Sequence, residues 1–131
     1  RFYRTTEISD WIDKAEGDWA TMLREAAVEV DANFDAVCFH AQQCAEKYLK
    51  ARLTLANIPF RKTHDLLYLH NLVVTIEPEW TFLHDSLFTL TAFAVAIRYP
   101  GLDSTKEQAL ISVEHCRVVR KTLRPVVIAA S

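Results

Sequence analysis

The sequence predicts an all-α protein, an up-and-down bundle of about five helices that amounts to a four-helix bundle with one extra helix. Apolar residues recur at alternating spacings of three and four along most of the chain, which places them on one side of a helix. The 131 residues include only 2 glycines and 4 prolines, too few for the many tight turns of an all-β fold. At this length we expect one domain over residues 1–131, with a core of its own.

The first helix is predicted over Glu7–Val30, after a short lead-in. Its inward stripe comprises Ile8, Ile12, Ala15, Trp19, Met22 and Ala26. Gly17 lies inside this helix, where glycine costs about 1 kcal/mol relative to alanine. Either another backbone approaches Gly17 closely, or it is a tolerated surface glycine.

The second helix organises the chain. It is predicted to begin after Asn33, its N-cap, and to end near Ala56 and Asn57, with Asn57 in a left-handed conformation. One stripe is apolar or small and should pack: Phe34, Val37, Ala41, Cys44, Tyr48, Ala51 and Leu55. A second stripe on the same helix is polar and carries a row of hydrogen-bond donors: His40, Gln43, Lys47, Lys50 and Thr54.

Three further helices follow. Thr63 is the expected N-cap of the third helix, whose apolar stripe runs from Leu66 to Ile76. A capping box over Ser104–Glu107 should open the fifth helix, and Pro125 should bend or fray its end.

The fourth helix, predicted over Glu79–Ile97, is apolar on nearly all sides. Such a helix is either central in its domain or part of a subunit interface. Because a domain this small encloses little space, we favour a homodimer that forms through the fourth helix. The alternative is a large aromatic core.

Charge and cysteine content limit the cellular setting. A net charge of -2 gives no overall attraction to nucleic acid or anionic lipid, so any such binding has to be local. Cys38, Cys44 and Cys116 form no CxxC pattern, which favours buried thiols in a reducing compartment. No signal-peptide pattern opens the sequence, and the longest uncharged run, Ser86–Ile97, is too short to cross a bilayer. We therefore expect a cytoplasmic protein that does not associate with membranes.

Metal and cofactor sites are not indicated. His40 and Cys44 have a spacing that can hold zinc, but tetrahedral zinc needs four ligands and only these two are evident. No phosphate loop of the GxxxxGK type occurs, and nothing marks any cysteine as an activated nucleophile. We expect neither a metal nor a cofactor.

A candidate anion site combines the polar stripe with two charged breaks in the helical pattern. Its cationic residues are Lys47, Lys50, His64 and Arg98. If they gather at one end of the bundle, they suit a nucleotide phosphate or an RNA backbone. Structural roles remain open for each: solvated lysines paired with acids such as Glu46, a hydrogen-bonding histidine at a helix start, and an arginine that fastens two helices.

Three short segments resemble the HEPN (higher eukaryotes and prokaryotes nucleotide-binding) domain family. Residues 39–53, FHAQQCAEKYLKARL, resemble the signature helix of that family, with Gln43 among the matching positions. Residues 62–66, KTHDL, resemble a second family segment. Arg98, Tyr99 and Pro100 resemble the RYP turn of one prokaryotic, stand-alone branch.

The resemblance implies a small helical bundle that dimerises. It also implies partnership with a minimal nucleotidyltransferase, often as a toxin–antitoxin pair. Many family members are metal-independent ribonucleases whose motif is an arginine followed, after four to six residues, by a histidine. Here the corresponding positions after Arg98 are Asp103, Ser104 and Thr105, so that motif is not present.

We therefore expect a non-catalytic HEPN protein that binds a nucleotide or RNA. The ligand-binding residues expected are Gln43, Lys47, Lys50, His64, Arg98 and Tyr99. One alternative is a metal-independent ribonuclease that uses Arg98 with His64, and another is a structural dimerisation scaffold. The expected partners are a second copy of the chain, a minimal nucleotidyltransferase, and a nucleotide or RNA.

Overall fold

The computed structural model describes the backbone of residues 4–96 and 99–131. Side chains are described for residues 7–96 and 99–131. Within these residues the helices are α1 (Arg4–Ala26), α2 (Phe34–Leu55), α3 (Leu66–Val73), a 3-10 helix (Pro78–Leu83), α4 (His84–Ala96) and α5 (Lys106–Ala130). No strand occurs in this part of the chain. The predicted all-α bundle is confirmed.

Hydrogen bonds that involve side chains show how α1, α2 and α5 run relative to one another. Along α1 and α2, Asn33 pairs with Glu25, His40 with Asp18 and Tyr48 with Glu16, so the two helices are antiparallel. Between α2 and α5, Asp35 accepts a hydrogen bond from the Ser104 backbone N–H, and Cys38 contacts Ser112. Both contacts advance in the same direction along the chain, so these helices are parallel. Helix α4 packs against both α2 and α5, and short α3 joins it to the bundle. Helices α1, α2, α4 and α5 thus form the predicted four-helix bundle, with α3 as the extra helix.

Helix α2 is the central element, since it contacts α1, α3, α4 and α5. Asn33 caps it by accepting a hydrogen bond from the Ala36 N–H, and Asn57 takes φ 60 at its end, both as predicted. The predicted stripe lies in the core: Val37, Ala41, Cys44, Tyr48 and Ala51 are fully buried. The central position, one of the two roles that the sequence left open for the fourth helix, is occupied by α2.

Several helix boundaries differ from prediction, among them the end of α3, which lies at Val73 rather than at Ile76. Helix α1 ends at Ala26 rather than Val30, and residues 27–31 form a turn and a bend, with Asp31 at φ 56. The fourth helix begins as a 3-10 segment after Pro78 and becomes α-helical only at His84. The capping box of α5 lies one residue later than predicted, on Thr105 and Gln108, whose side chains each accept from the other's backbone N–H.

Two predicted irregularities are resolved for the described residues. No atom lies within 4 Å of a Cβ built on Gly17, so it is a surface glycine rather than a point of close approach. Helix α5 continues through Pro125 to Ala130, so it does not end at the proline. Cys38, Cys44 and Cys116 are all buried free thiols.

Helix α4 buries one side and exposes the other. Leu87 and Leu90 are fully buried, whereas Phe88 is 57% exposed and Val95 is 40% exposed. An exposed phenylalanine two turns from an exposed valine, on the same side of the helix, is typical of a surface available for contact. The predicted end of this helix, Ile97, lies outside the described residues.

Candidate functional site

A buried carboxylate lies at the centre of the polar face of α2. Glu46 is 2% exposed. Its Oε2 accepts a hydrogen bond from Lys50 Nζ at 3.0 Å, and its Oε1 lies 2.9 Å from His64 Nδ1. A buried carboxylate is costly unless it is paired and hydrogen-bonded. The Lys50 ammonium and the His64 ring meet that requirement.

Two glutamine amides complete the surroundings of Glu46. Gln42 Nε2 donates to the backbone carbonyl of His64 at 3.0 Å and lies 3.4 Å from Glu46 Oε1. Gln43 Nε2 donates to Gln42 Oε1 at 2.7 Å and also lies 3.4 Å from Glu46 Oε1. These contacts tie α2 to the loop that carries His64.

The position of His64 follows from the start of α3. Asp65, not Thr63, is the N-cap: its Oδ1 accepts from the backbone N–H groups of Leu67 and Tyr68. Thr63 instead accepts from the Asp65 N–H through Oγ1 at 3.0 Å. His64 therefore lies in the loop just before the cap, and its ring turns back toward Glu46 on α2.

The His64 ring has one fixed and one open side. Its side chain is 71% exposed although Nδ1 contacts a buried carboxylate. Because an ionised carboxylate can only accept hydrogen bonds, Nδ1 is the donor, and in the neutral ring Nε2 is then an acceptor. Among the described residues, Nε2 has no hydrogen-bond partner.

A cleft of about 370 Å³ lies beside this ring, between the loop before α3 and the second half of α4. Its lining comprises Gln42, His64, Asp65, Thr91, Ala94 and Val95. The sequence alone did not indicate Gln42 and Thr91 as lining residues of the cleft, or Glu46 as the carboxylate that contacts His64. The four-residue repeat of polar residues at 42, 46, 50 and 54 on α2 is the signal that could have indicated them.

The two predicted lysines bind different carboxylates. Lys50 is 6% exposed, pairs with Glu46, and lies 5.3 Å from the centre of the Trp11 ring. Lys47 pairs with Asp18 of α1, which also contacts His40 at 2.7 Å. Neither lysine lines the cleft. Gln43, Lys50 and His64 thus converge on Glu46, whereas Lys47 does not.

The remaining predicted residues, Arg98 and Tyr99, come after α4 in the sequence. Arg98 lies outside the described residues. Tyr99 is 60% exposed, and its backbone N–H donates to the Ala96 carbonyl at 3.4 Å. Tyr99 therefore follows directly on the helix whose second half lines the cleft.

A second charged cluster joins α1, α2 and α5, and sequence analysis missed it. Glu16 accepts two hydrogen bonds from Arg120, at 2.8 and 2.7 Å, and a third from the Tyr48 hydroxyl. Burial alone would raise the pKa of Glu16, but the hydrogen bonds from Arg120 and Tyr48 outweigh it, and the net pKa is lowered. Burial and the Glu16 charge raise the pKa of Tyr48.

Cys44 is a buried thiol in contact with Cys116. The pKa of Cys44 is raised well above its usual value by the contact with Cys116 and by burial. A thiol in that environment stays protonated and is a poor nucleophile. In the described part of the chain, no group of three or more histidine, cysteine or acidic side chains is placed to hold a metal ion. His40, whose spacing from Cys44 is compatible with zinc, lies 2.7 Å from Asp18 Oδ1 through its Nδ1.

None of the helices in the described ranges is both long enough and apolar enough for a membrane span.

Comparison with known proteins agrees with the fold. The crystal structure of an archaeal HEPN homologue superposes with a TM-score of 0.68 at 21% sequence identity, over 92% of this chain and 97% of that chain. At this identity the likeness establishes the fold. No curated protein gives a significant sequence match. The sequence model of the HEPN domain matches residues 8–126. Since that match spans nearly the whole chain, from the start of α1 into the end of α5, the protein belongs to the HEPN domain family.

Proposed function

We propose that this HEPN domain is a non-catalytic module that binds a nucleotide or RNA in the cleft beside His64. The observation that carries the proposal is the His64 ring, which is exposed in the cleft wall and held at Nδ1 by a buried carboxylate at 2.9 Å. A ring fixed on one side and open on the other is preorganised to meet a ligand.

Each side chain has a chemical role in this proposal. His64 Nε2 accepts a hydrogen bond from a ribose hydroxyl, because the neutral ring offers a lone pair there. Arg98, which follows α4 by two residues, binds phosphate. The exposed Tyr99 ring stacks on a base. Lys50 and Gln43 hold Glu46 and do not touch the ligand.

We further propose a homodimer that forms through the exposed side of α4, where Phe88 and Val95 lie. A minimal nucleotidyltransferase is the proposed partner protein, in a toxin–antitoxin-like pair. The cytoplasm is the proposed location, supported by three buried cysteines that remain free thiols.

A second candidate function is supported by the same histidine. In a metal-independent ribonuclease, His64 would take the proton from the 2′-hydroxyl, while Arg98 would stabilise charge on the phosphate. The Glu46 contact favours this candidate because it directs Nε2 outward. The missing histidine at positions 103–105 favours the binding function instead.

The deciding experiment incubates purified protein with labelled RNA and with a nucleotide panel, for the wild type and for Arg98→Ala, His64→Ala and His84→Ala. His84 is a matched control because its side chain is 58% exposed and it does not line the cleft. Binding without cleavage, weakened about tenfold by His64→Ala, supports the module. Cleavage lost in Arg98→Ala or His64→Ala establishes the ribonuclease. If the wild type neither binds nor cleaves any of these ligands, the structural dimerisation scaffold is the remaining candidate.

A further inference from the structure

A row of positive charge lies on α5, away from the cleft. Arg117, Arg120, Lys121 and Arg124 occupy positions i, i+3, i+4 and i+7, so they share one side of the helix. We call these four residues the α5 cationic face. With Pro125 they line a shallow depression of about 290 Å³. The row extends about 10 Å along the helix axis.

The α5 cationic face has four cationic side chains, and two acidic side chains of the described residues contact them. Glu16 binds Arg120 and lies 3.6 Å from Arg124 Nε, and Glu114 lies 3.4 Å from Arg117 Nε. Lys121 forms no ion pair or hydrogen bond with any described residue. The α5 cationic face is therefore locally positive, although the chain carries a net charge of -2.

Arg124 is incompletely satisfied. Its Nε atom is buried and has no hydrogen-bond partner among the described residues, since 3.6 Å to Glu16 is too long for a hydrogen bond. The side chain as a whole is 42% exposed. Its guanidinium can therefore reorient toward an acceptor that arrives from solvent without losing an internal hydrogen bond.

The other two arginines are held in place by an aromatic ring. The guanidinium carbons of Arg120 and Arg117 lie 4.5 and 5.3 Å from the centre of the Trp19 ring. These cation–π contacts, together with the double hydrogen bond from Arg120 to Glu16, restrict the side chains before any ligand binds. Restricting long side chains in advance lowers the entropy lost on binding.

We infer that the α5 cationic face binds successive phosphates of a nucleic-acid strand. A linear row of cations matches a linear polyanion, and arginine is suited to phosphate because its planar group can donate two parallel hydrogen bonds. A mononucleotide carries its phosphates at one point, so it would leave most of these four cations without a phosphate contact. The inference rests on α5 and its contacts, so it stands whether or not the cleft binds a nucleotide.

The test measures binding of labelled single-stranded RNA and DNA oligonucleotides of about 12 residues by fluorescence anisotropy, from about 50 to about 200 mM salt. We expect Lys121→Gln/Arg124→Gln to weaken binding about tenfold. Because each phosphate contact on a single strand contributes about 0.7 to the slope of log affinity against log salt, that slope should fall by about 1.4. Tighter binding of RNA than of DNA would identify RNA as the source of the phosphates.

The matched control is Lys14→Gln/Lys106→Gln, which removes the same charge from two exposed lysines outside the α5 cationic face. Its affinity should change by less than twofold. If the Arg124 variant does not fold, Lys121→Glu alone serves, since Lys121 is exposed and unpaired among the described residues.

Three results would overturn the inference: no oligonucleotide binding by the wild type, equal losses in the two double variants, or binding to vesicles rich in phosphatidylserine without binding to oligonucleotides. Failure of this site is distinguishable from failure of the cleft. His64→Ala should leave the oligonucleotide salt slope unchanged, and Lys121→Gln/Arg124→Gln should leave mononucleotide binding unchanged.

Discussion

His64 Nδ1 lies 2.9 Å from Glu46 Oε1, although the His64 side chain is 71% exposed and the Glu46 side chain is only 2% exposed. The pair therefore bridges the interior of the bundle and the wall of the cleft. On the inner side, Lys50 binds the other carboxylate oxygen. A change at Glu46 should consequently affect both the stability of the bundle and the orientation of the ring.

Replacing Glu46 with glutamine should destabilise the fold by about 3 kcal/mol. The reason is that Lys50, only 6% exposed, would keep its charge without a carboxylate partner. Chemical denaturation followed by circular dichroism measures the loss. The double variant Glu46→Gln/Lys50→Met removes the stranded charge and should recover at least half of it. Glu114→Gln, at an exposed position, is the control and should cost less than about 0.5 kcal/mol. Equal small effects at Glu46 and Glu114 would show that the buried pair is unimportant.

The Glu16 cluster predicts an acid-dependent loss of stability. The pKa of Glu16 is lowered in the folded protein from its ordinary value of 4.5, so its unfolded form binds the proton more tightly. Its contribution to stability is therefore present above pH 4.5 and is lost as the pH falls through the folded pKa. The measurement is the free energy of unfolding against pH for the wild type and Glu16→Gln. The two curves should differ by about 1–2 kcal/mol at neutral pH and converge in acid. Parallel curves would contradict this account.

The start of α3 provides a test of the corrected N-cap. Asp65→Ala should cost about 1 kcal/mol, because two backbone N–H groups lose their acceptor. Thr63→Ala, the matched control two residues earlier, removes one local hydrogen bond outside the helix and should cost less. Thermal unfolding of the two variants distinguishes them. A larger loss from Thr63→Ala would favour the cap that the sequence alone predicts.

Local signals in the sequence predicted much of the bundle. The limits of α2 could be predicted because Asn33 and Asn57 act on their own neighbours, through a side-chain cap and a left-handed backbone. The apolar stripe of α2 could be predicted because helical spacing is a property of consecutive residues. The 3-10 segment at the start of the fourth helix could not be predicted, because its apolar pattern is equally compatible with an α-helix.

The site depends on contacts between distant parts of the chain, which is why it was only partly predicted. Lys50 lies on the predicted polar stripe, but burial by Trp11 and Phe60 makes it an internal cation. Likewise, the spacing of Arg120 on α5 does not reveal that Glu16, 104 positions earlier, is its partner. Helical periodicity gives the face on which a residue lies, whereas the elements that cover that face are set by the tertiary fold.

The most direct test of the central claim, that Glu46 fixes His64 to present Nε2 to a ribose hydroxyl, compares two ligands. Calorimetric titration of adenosine 5′-monophosphate and its 2′-deoxy form, against the wild type, His64→Ala and His84→Ala, isolates that hydrogen bond. The account predicts that the wild type and His84→Ala bind the ribonucleotide about tenfold more tightly than the deoxy form, and that His64→Ala binds both equally weakly. Equal affinity of the wild type for both nucleotides, or a ribose preference that persists in His64→Ala, would contradict it.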